Sequence, residues 1–563
     1  MGEKLIWGGS DIFTHMLIVG PTRCGKTATL LKPIIYNILL QKKRGKPVGL
    51  TVVEPKGDMA FMVREMCEAM EIDYIHIDPA PADKRSYAEE AGYDPSYKSH
   101  RFNPMQGDED TVAEATVAVL QSLFGKQESF FKTVQEVSAR NVTKLLKRLY
   151  GDRIDVTDII NVLRDPMLME KKVKELVQRE GHSDLTRFFE AELLGSLRDE
   201  YRRFAIGLRA QLENLTANES LKRIITGESS INIDEHFEKG GVLAVNTALG
   251  ELGTSGDAFG QFVIMHLQAG TFRRKGTERT RVPHFLIVDE LSRYINPDLE
   301  RFLNIAAEYR VAGIFATQSL GQLEVESGKL SAKAVKRAIM TGCRNKIAFG
   351  GLSAEDAKEF AEEFGKKQII ERQATYETKI IGANLFPSNY RDTEKEEYRF
   401  FYTQLIDGLP RFHFVYKLLK DGTPQPPGIG KGTFVPKDWK ERREWEQEPP
   451  KKAGFFDFLK SPFKRRFERG DAKEPIPDER DVPVEQNSEE TKQHYLQTDK
   501  HDGALKGNDA LKGGDAGEEP TNVQPVVAEN TGDKADEEKE AVSSQSDSGR
   551  KQDGTSKKDD FWF

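Results

Sequence analysis

An α/β fold is what this sequence of 563 residues predicts: a mainly parallel sheet, an inserted all-helical domain and a disordered C-terminal tail. Three observations carry that expectation. Short apolar runs of strand length alternate with helical periodicity over 16–78 and again over 241–418, the pattern of a parallel sheet with helices on its faces. From about 110 to 226 the apolar residues recur at three- and four-residue spacing almost without interruption. After about 439 the chain turns to Asp, Glu, Lys, Gly, Ser and Gln, a composition that buries too little apolar surface to offset its ordering entropy. The expected division is therefore 1–107 and 231–440 as two parts of one α/β domain, 108–230 as the helical insertion, and 441–563 as the tail, with a basic-aromatic island at 454–467.

The first strand is the apolar run 16–19. It leads into Gly20, Pro21, Thr22, Arg23, Cys24, Gly25, Lys26 and Thr27, which fit the phosphate-binding pattern G-x-x-x-x-G-K-[ST] at every fixed position. A helix-length apolar segment, 28–40, follows. In that context the two glycines let successive N–H groups converge on an anion at the helix N-terminus. Lys26 is expected to reach the β- and γ-phosphates of ATP, and the Thr27 hydroxyl to ligate Mg²⁺. Pro33 is expected to kink that helix. Cys24, at a variable position of the loop, reads as a small filler.

Next come a strand at 50–53, a helix at 59–70 and a strand at 74–78. The helical stretch follows, with helices expected at 112–124, 130–150, 156–163, 169–179, 185–194 and 201–225. Its basic clusters, 140–148 and 198–209, suit either solvated helix faces or nucleic-acid contacts, the former being favoured. Alternation resumes with a strand at 241–245 and a helix at 259–272. The loop 273–281 has five basic residues in nine and reads equally as a contact to the DNA phosphate backbone or as a solvated turn.

The strand 284–288 ends in Asp289 and Glu290. An apolar strand closed by two acids, downstream of a phosphate loop, gives Asp289 the Mg²⁺ and Glu290 the attacking water. A helix at 299–310 and a strand at 311–317 then deliver Gln318, placed to sense the γ-phosphate if it is more than a turn residue. A strand at 346–349, a helix at 354–364 and a strand near 412–418 complete the expected fold.

Composition bounds the function. A net charge of −8 argues against a uniformly basic nucleic-acid coat while allowing a local basic channel. Cys24, Cys67 and Cys343 are scattered, without metal-ligand or disulfide spacing. No apolar run approaches the 18 residues of a membrane span, and the N-terminus lacks the features of a signal peptide.

Taken in order around one helical insertion, several pieces resemble the TraG/TraD-type coupling ATPases of type IV secretion and conjugation. They are G-P-T-R-C-G-K-T at 20–27, E-P-K-G at 54–57 (where the family often has D-P-K-G), F-N-P-M at 102–105, L-I-V-D-E at 286–290, A-T-Q-S-L-G-Q-L at 316–323 and N-K-I-A-F-G-G at 345–351. The resemblance spans about 15–439. It implies a RecA-like ring ATPase, usually a hexamer, that receives DNA, taken as single-stranded with a bound relaxase, and passes it to the type IV secretion components. By position it assigns phosphate and Mg²⁺ binding to Lys26 and Thr27, Mg²⁺ and water to Asp289 and Glu290, and γ-phosphate sensing to Gln318. Arg310 falls near the family's arginine finger, with Arg337 and Arg344 as further candidates. Family members typically carry a membrane anchor before the ATPase, whereas this sequence begins almost at the first strand. A cytoplasmic protein, peripheral at the inner face of the membrane through partners, is therefore expected. Two other classes fit the motifs: an intracellular DNA pump of the FtsK/HerA kind, and a receptor whose nucleotide site is only a switch.

Overall fold

Alternation along each strand decides which layer it buries. In a computed structural model that describes residues 5–80, 98–124, 129–196, 198–328, 330–375 and 389–447, Leu17 and Val19 enter one apolar core while Met16 and Ile18 enter a second on the opposite face. Leu286 and Val288 likewise oppose Phe285 and Ile287. Strands covered on both faces need not show a polar side, and β1 (Met16–Val19), β2 (Gly49–Glu54), β4 (Val242–Asn246), β5 (His284–Val288), β6 (Val311–Thr317) and β7 (Asn345–Phe349) are buried throughout.

With β3 (Ile75–Ile77), β10 (His413–Lys417) and β13 (Gly428–Lys431), these form a nine-stranded sheet in the order β13-β10-β7-β1-β6-β5-β2-β4-β3. From β7 to β3 every pairing is parallel. At the other edge β10 and β13 run antiparallel. The short ladder β11 (Leu419–Lys420) and β12 (Thr423–Pro424) stands apart from the sheet. The expected α/β class and its mainly parallel sheet are thus found.

One face carries the helices Lys32–Lys43 and Asp58–Met70, joined by the buried Trp7 and Trp445. The other face shares a continuous core with the helical insertion. There the expected helices are present as Glu109–Phe124, Ser129–Tyr150, Val156–Arg164 and Pro166–Glu180. The helix expected over 201–225 is two helices, Arg198–Ala217 and Glu219–Ile225. The break is at Asn218, whose side-chain oxygen accepts from the N–H groups of Ser220 and Leu221 at 2.9 and 3.2 Å, a local cap that competes with helix continuation.

The helix after the phosphate loop opens with a wide turn, Thr27–Leu31, before the α-helix proper, and Pro33 lies in the first turn of the latter. Proline has no N–H to return to the carbonyl four residues earlier. The Thr29 carbonyl accepts instead from the N–H of Thr433 at 3.0 Å. The expected distortion at Pro33 is thus a fastening point for a distant segment.

β11, β12 and β13 have no counterpart in the sequence expectations, and neither does a longer pair of strands. β8 (Lys366–Thr375) and β9 (Asn389–Tyr398) pair antiparallel in ten-residue register as a separate two-stranded ribbon. Of the expected tail, 441–447 are described, with Trp445 buried against the sheet, and 448–563, the island 454–467 included, lie outside the described residues. No helix among the described residues is long and apolar enough to cross a membrane.

Candidate nucleotide site

The candidate residues converge because parallel strands place their C-terminal ends along one edge. β1 leads into Gly20, β5 into Asp289 and β6 into Gln318, and, one strand further, β2 ends at Glu54. Gly20 is required by close packing: a Cβ there would lie 2.7 Å from Phe349 Cβ and 2.8 Å from Cys24 Sγ. Gly25 has φ +112°, a conformation that side chains rarely adopt, and Arg23 is also left-handed at φ 66°. These turns curl the loop into a nest of N–H groups.

Lys26 is buried, and its ammonium donates to the Gly20 carbonyl and, at 3.5 Å, to that of Pro21. The cation is thus retained in the loop by carbonyls that phosphate oxygens can replace at short range. The Thr27 hydroxyl donates to Asp289 Oδ2 at 3.3 Å. Asp289 is almost fully buried, and burial, with the charge of Glu290 beside it, pushes its carboxyl above the usual range, while Lys26 and Lys56 pull it back. A hydroxyl beside a buried carboxylate in need of positive charge suits hydrated Mg²⁺.

Gln318 ties the site together. Its Nε2 donates to Glu290 Oε1 at 2.8 Å, and its Oε1 accepts from the Thr22 hydroxyl at 3.0 Å. One amide thus links the buried Glu290 to the phosphate loop. Gln322, inside the quoted 316–323 motif, was not singled out by sequence reasoning. Its Oε1 accepts from the Thr317 hydroxyl at 3.1 Å and the Gln318 N–H at 3.3 Å, which fixes the Gln318 backbone. The recurrence of glutamine four residues on was the available signal. Glu290 is buried and left-handed, with φ 56°, a strained conformation of the kind that surrounding structure maintains at functional sites.

Glu54 was likewise read only as part of a motif. It is fully buried, and its Oε1 accepts from the Ala60 N–H at 2.7 Å. Burial, then the neighbouring Asp58 charge, drives its carboxyl well above the usual range. Burial acts the same way on Asp58, but its pairing with Lys32 at 2.9 Å and the hydrogen bond with Glu54 outweigh it and hold Asp58 low. Burial also raises the Cys24 thiol, in line with a filler role rather than a nucleophile.

Arg310 is not displayed for a neighbouring subunit. It lies at the N-terminal end of β6, the opposite end from Gln318, is 5% exposed, donates to the Glu278 carbonyl at 3.0 Å and lies over the Phe13 ring. Arg337 and Arg344 are exposed and line an open groove of about 1300 Å³ beside helix Ala332–Gly342, away from the phosphate loop.

The loop 273–281 divides by role. Arg273 forms a two-pronged pair with Asp234. Arg274 is buried, drawn down to about 10 by that burial, and donates to the carbonyls of Tyr309, Arg310 and Val282. Arg281 donates to the Arg274 and Glu308 carbonyls and lies over the Tyr309 ring. Lys275 and Arg279 are exposed. In the cluster 140–148, Arg140 pairs with Glu114, Lys144 with Asp110 and Arg148 with Glu109, which favours the solvated-face reading there.

Residues 283–411 match the family described as the TraM recognition site of TraD and TraG. A comparison with curated protein sequences gives no significant match. Among solved structures, the chain is similar to the bacterial conjugative coupling protein TrwBΔN70 in its unbound form (TM-score 0.51, 14% identity, 76% of this chain and 88% of that one). It is similar also to TrwB with a non-hydrolysable GTP analogue (TM-score 0.50, 15% identity, 76% and 88%) and to TrwB with ADP and Mg²⁺ (TM-score 0.51, 14% identity, 76% and 87%). At such identities the likeness is one of fold, and that fold is RecA-like. The resemblance to TraG/TraD-type coupling proteins drawn from the motifs is borne out by the family match and by this fold.

Proposed function

We propose that this protein is an ATP-hydrolysing coupling protein that recruits a relaxase–DNA substrate and drives DNA transfer through a type IV secretion system in conjugation. The observation that carries the reading is the Gln318 bridge between Thr22 of the phosphate loop and Glu290. A site meant only to hold nucleotide needs no buried acid beside the γ-phosphate position, still less one tied to the loop by a donor that senses it.

In this mechanism Lys26 and the loop N–H groups neutralise the phosphates, and Thr27 with Asp289 would hold Mg²⁺, whose charge would polarise the γ-phosphate. Glu290 orients the attacking water and accepts its proton. Gln318 registers the γ-phosphate through Thr22 and passes its loss to β6. The active form is a homo-hexameric ring on single-stranded DNA, cytoplasmic and brought to the inner face of the membrane by secretion components.

The deciding experiment measures ATP turnover with and without single-stranded DNA, alongside capture of the relaxase from the same conjugative system. DNA-stimulated turnover with relaxase capture supports the proposal. Stimulation without capture would leave a DNA pump of the FtsK/HerA kind, and capture without turnover a nucleotide-switched receptor.

A further inference from the structure

The acids and the sensor lie on one side of the phosphate loop. Asp289, Glu290 and Gln318 follow β5 and β6, on one flank of β1, and mark where the γ-phosphate end of a nucleotide must lie. A linear triphosphate lying over the loop therefore directs its nucleoside to the other flank, toward β7 and β10.

Phe412, which immediately precedes β10, stands there. It crowds the loop: a Cβ on Gly25 would lie 2.6 Å from its Cδ1. The Phe412 backbone is left-handed at φ 65°, a strained choice for a bulky residue. The Arg411 guanidinium lies 4.6 Å over its ring. Phe434 meets it edge to face, centroids 5.2 Å apart at 86°, and is itself 56% exposed.

The segment bearing these rings is anchored to the phosphate-loop helix. Gly432 N–H donates to the Phe412 carbonyl at 2.8 Å and Thr433 N–H to the Thr29 carbonyl at 3.0 Å. Gly432 is pressed so closely on Thr29 that a Cβ would lie 2.2 Å from its hydroxyl oxygen. An exposed aromatic ring on a segment locked to the loop is a preorganised surface. Phe434 also lies beyond 283–411, outside the family match.

We propose that Phe434, braced by Phe412, is the platform on which the nucleotide's base stacks. The inference rests on the reading of 20–27 as the triphosphate site and adds to it a means of selecting the nucleoside. Because the platform offers ring faces, it favours a planar base without choosing between adenine and guanine; stacking is tolerant of base identity.

The test uses the full chain with Mg²⁺ and three probes: ATP, GTP and inorganic tripolyphosphate. Phe434→Ala is expected to weaken ATP and GTP alike, by about 5- to 150-fold, the range that base–aromatic stacking gives. Tripolyphosphate affinity is expected to stay within about twofold, and Phe434→Tyr to behave as wild type. Unchanged ATP affinity in Phe434→Ala overturns the inference, as does an equal loss for ATP and tripolyphosphate. A loss traced to altered subunit association, seen as a change in mass at working concentration, also overturns it, since the ring would then serve a second copy of the chain. If wild type binds neither ATP nor tripolyphosphate, or Lys26→Ala binds both unchanged, it is the nucleotide-site reading itself that fails.

Discussion

Replacing Glu290 by Gln separates binding from chemistry within the proposed site. Glu290 is 6% exposed and receives the Gln318 amide at 2.8 Å. Glutamine keeps the accepting oxygen and the side-chain length, so the bridge to Thr22 survives, but it cannot take a proton from water. A positioned general base contributes about 10²–10⁴ in rate, or roughly 3–5 kcal/mol of barrier, and single-turnover hydrolysis should fall by that factor while ATP binding is kept. Gln318→Ala acts on the same group indirectly. It strips a buried carboxylate of a charge-assisted hydrogen bond worth about 1.5–3 kcal/mol, so turnover should drop roughly 10- to 100-fold. Because its effect runs through Glu290, the double variant should be no slower than Glu290→Gln alone to within about threefold. The assay is quench-flow with protein in excess over labelled ATP, with affinity measured separately. If Glu290→Gln hydrolyses within tenfold of wild type, Glu290 is not the base; if the two losses multiply, Gln318 does not work through it.

Asp289→Asn should abolish Mg²⁺-dependent nucleotide binding yet stabilise the ligand-free protein at neutral pH. The folded-state pKa of Asp289 is raised, so its contribution to stability is present below the unfolded value of about 3.9 and is lost as pH rises through the folded one. Thermal melting at pH 7.5 without Mg²⁺ should show the variant about 1–3 °C higher, the gap closing toward pH 4; a variant less stable at both pH values would contradict this. In the loop 273–281, Lys275→Ala with Arg279→Ala should lower the log–log salt slope of DNA binding by about 2 without moving the melting temperature. An unchanged slope would make the loop a solvated turn. Arg274→Ala should instead destabilise by about 2–4 kcal/mol in denaturant titration, since the Tyr309, Arg310 and Val282 carbonyls lose a buried donor. For the arginine finger, Arg344→Ala subunits mixed with Lys26→Ala subunits should recover part of the ATPase that each lacks, and a verified mixed oligomer with no recovery would exclude Arg344.

What could be read from the sequence is what burial writes into it. β1, β5 and β6 sit between two cores, so their apolar runs were legible almost to the residue, and the phosphate loop and Asp289–Glu290 pair followed from their places at strand ends. The ribbon of β8 and β9 was not legible. Its strands, K-K-Q-I-I-E-R-Q-A-T and N-Y-R-D-T-E-K-E-E-Y, are exposed over most of their length, so no two-residue apolar period exists to find. Arg310 shows a different limit. A basic residue before a strand looks the same in sequence whether it faces a neighbour or, as here, turns inward over Phe13. The Gln318 bridge could be suspected from position, but its link to Thr22 joins residues 296 apart and belongs to the folded chain alone.

The strand order also sets a timetable for synthesis. β1, β2 and β3 emerge first, yet no two of them are neighbours in the sheet. β1 lies between β6 and β7, and β2 between β4 and β5, so the phosphate-loop strand waits for partners made roughly 300 residues later. At about 5–20 residues per second that is on the order of 15–60 s during which Met16–Val19 has no sheet to join, while Gly49–Glu54 waits about 10–40 s for β4. The helical insertion, built from local contacts, can form within that interval. The nucleotide loop, although encoded near the start, is among the last features the nascent chain can complete, and a ribosome stalled before β6 would leave its apolar strands to chaperones or to aggregation.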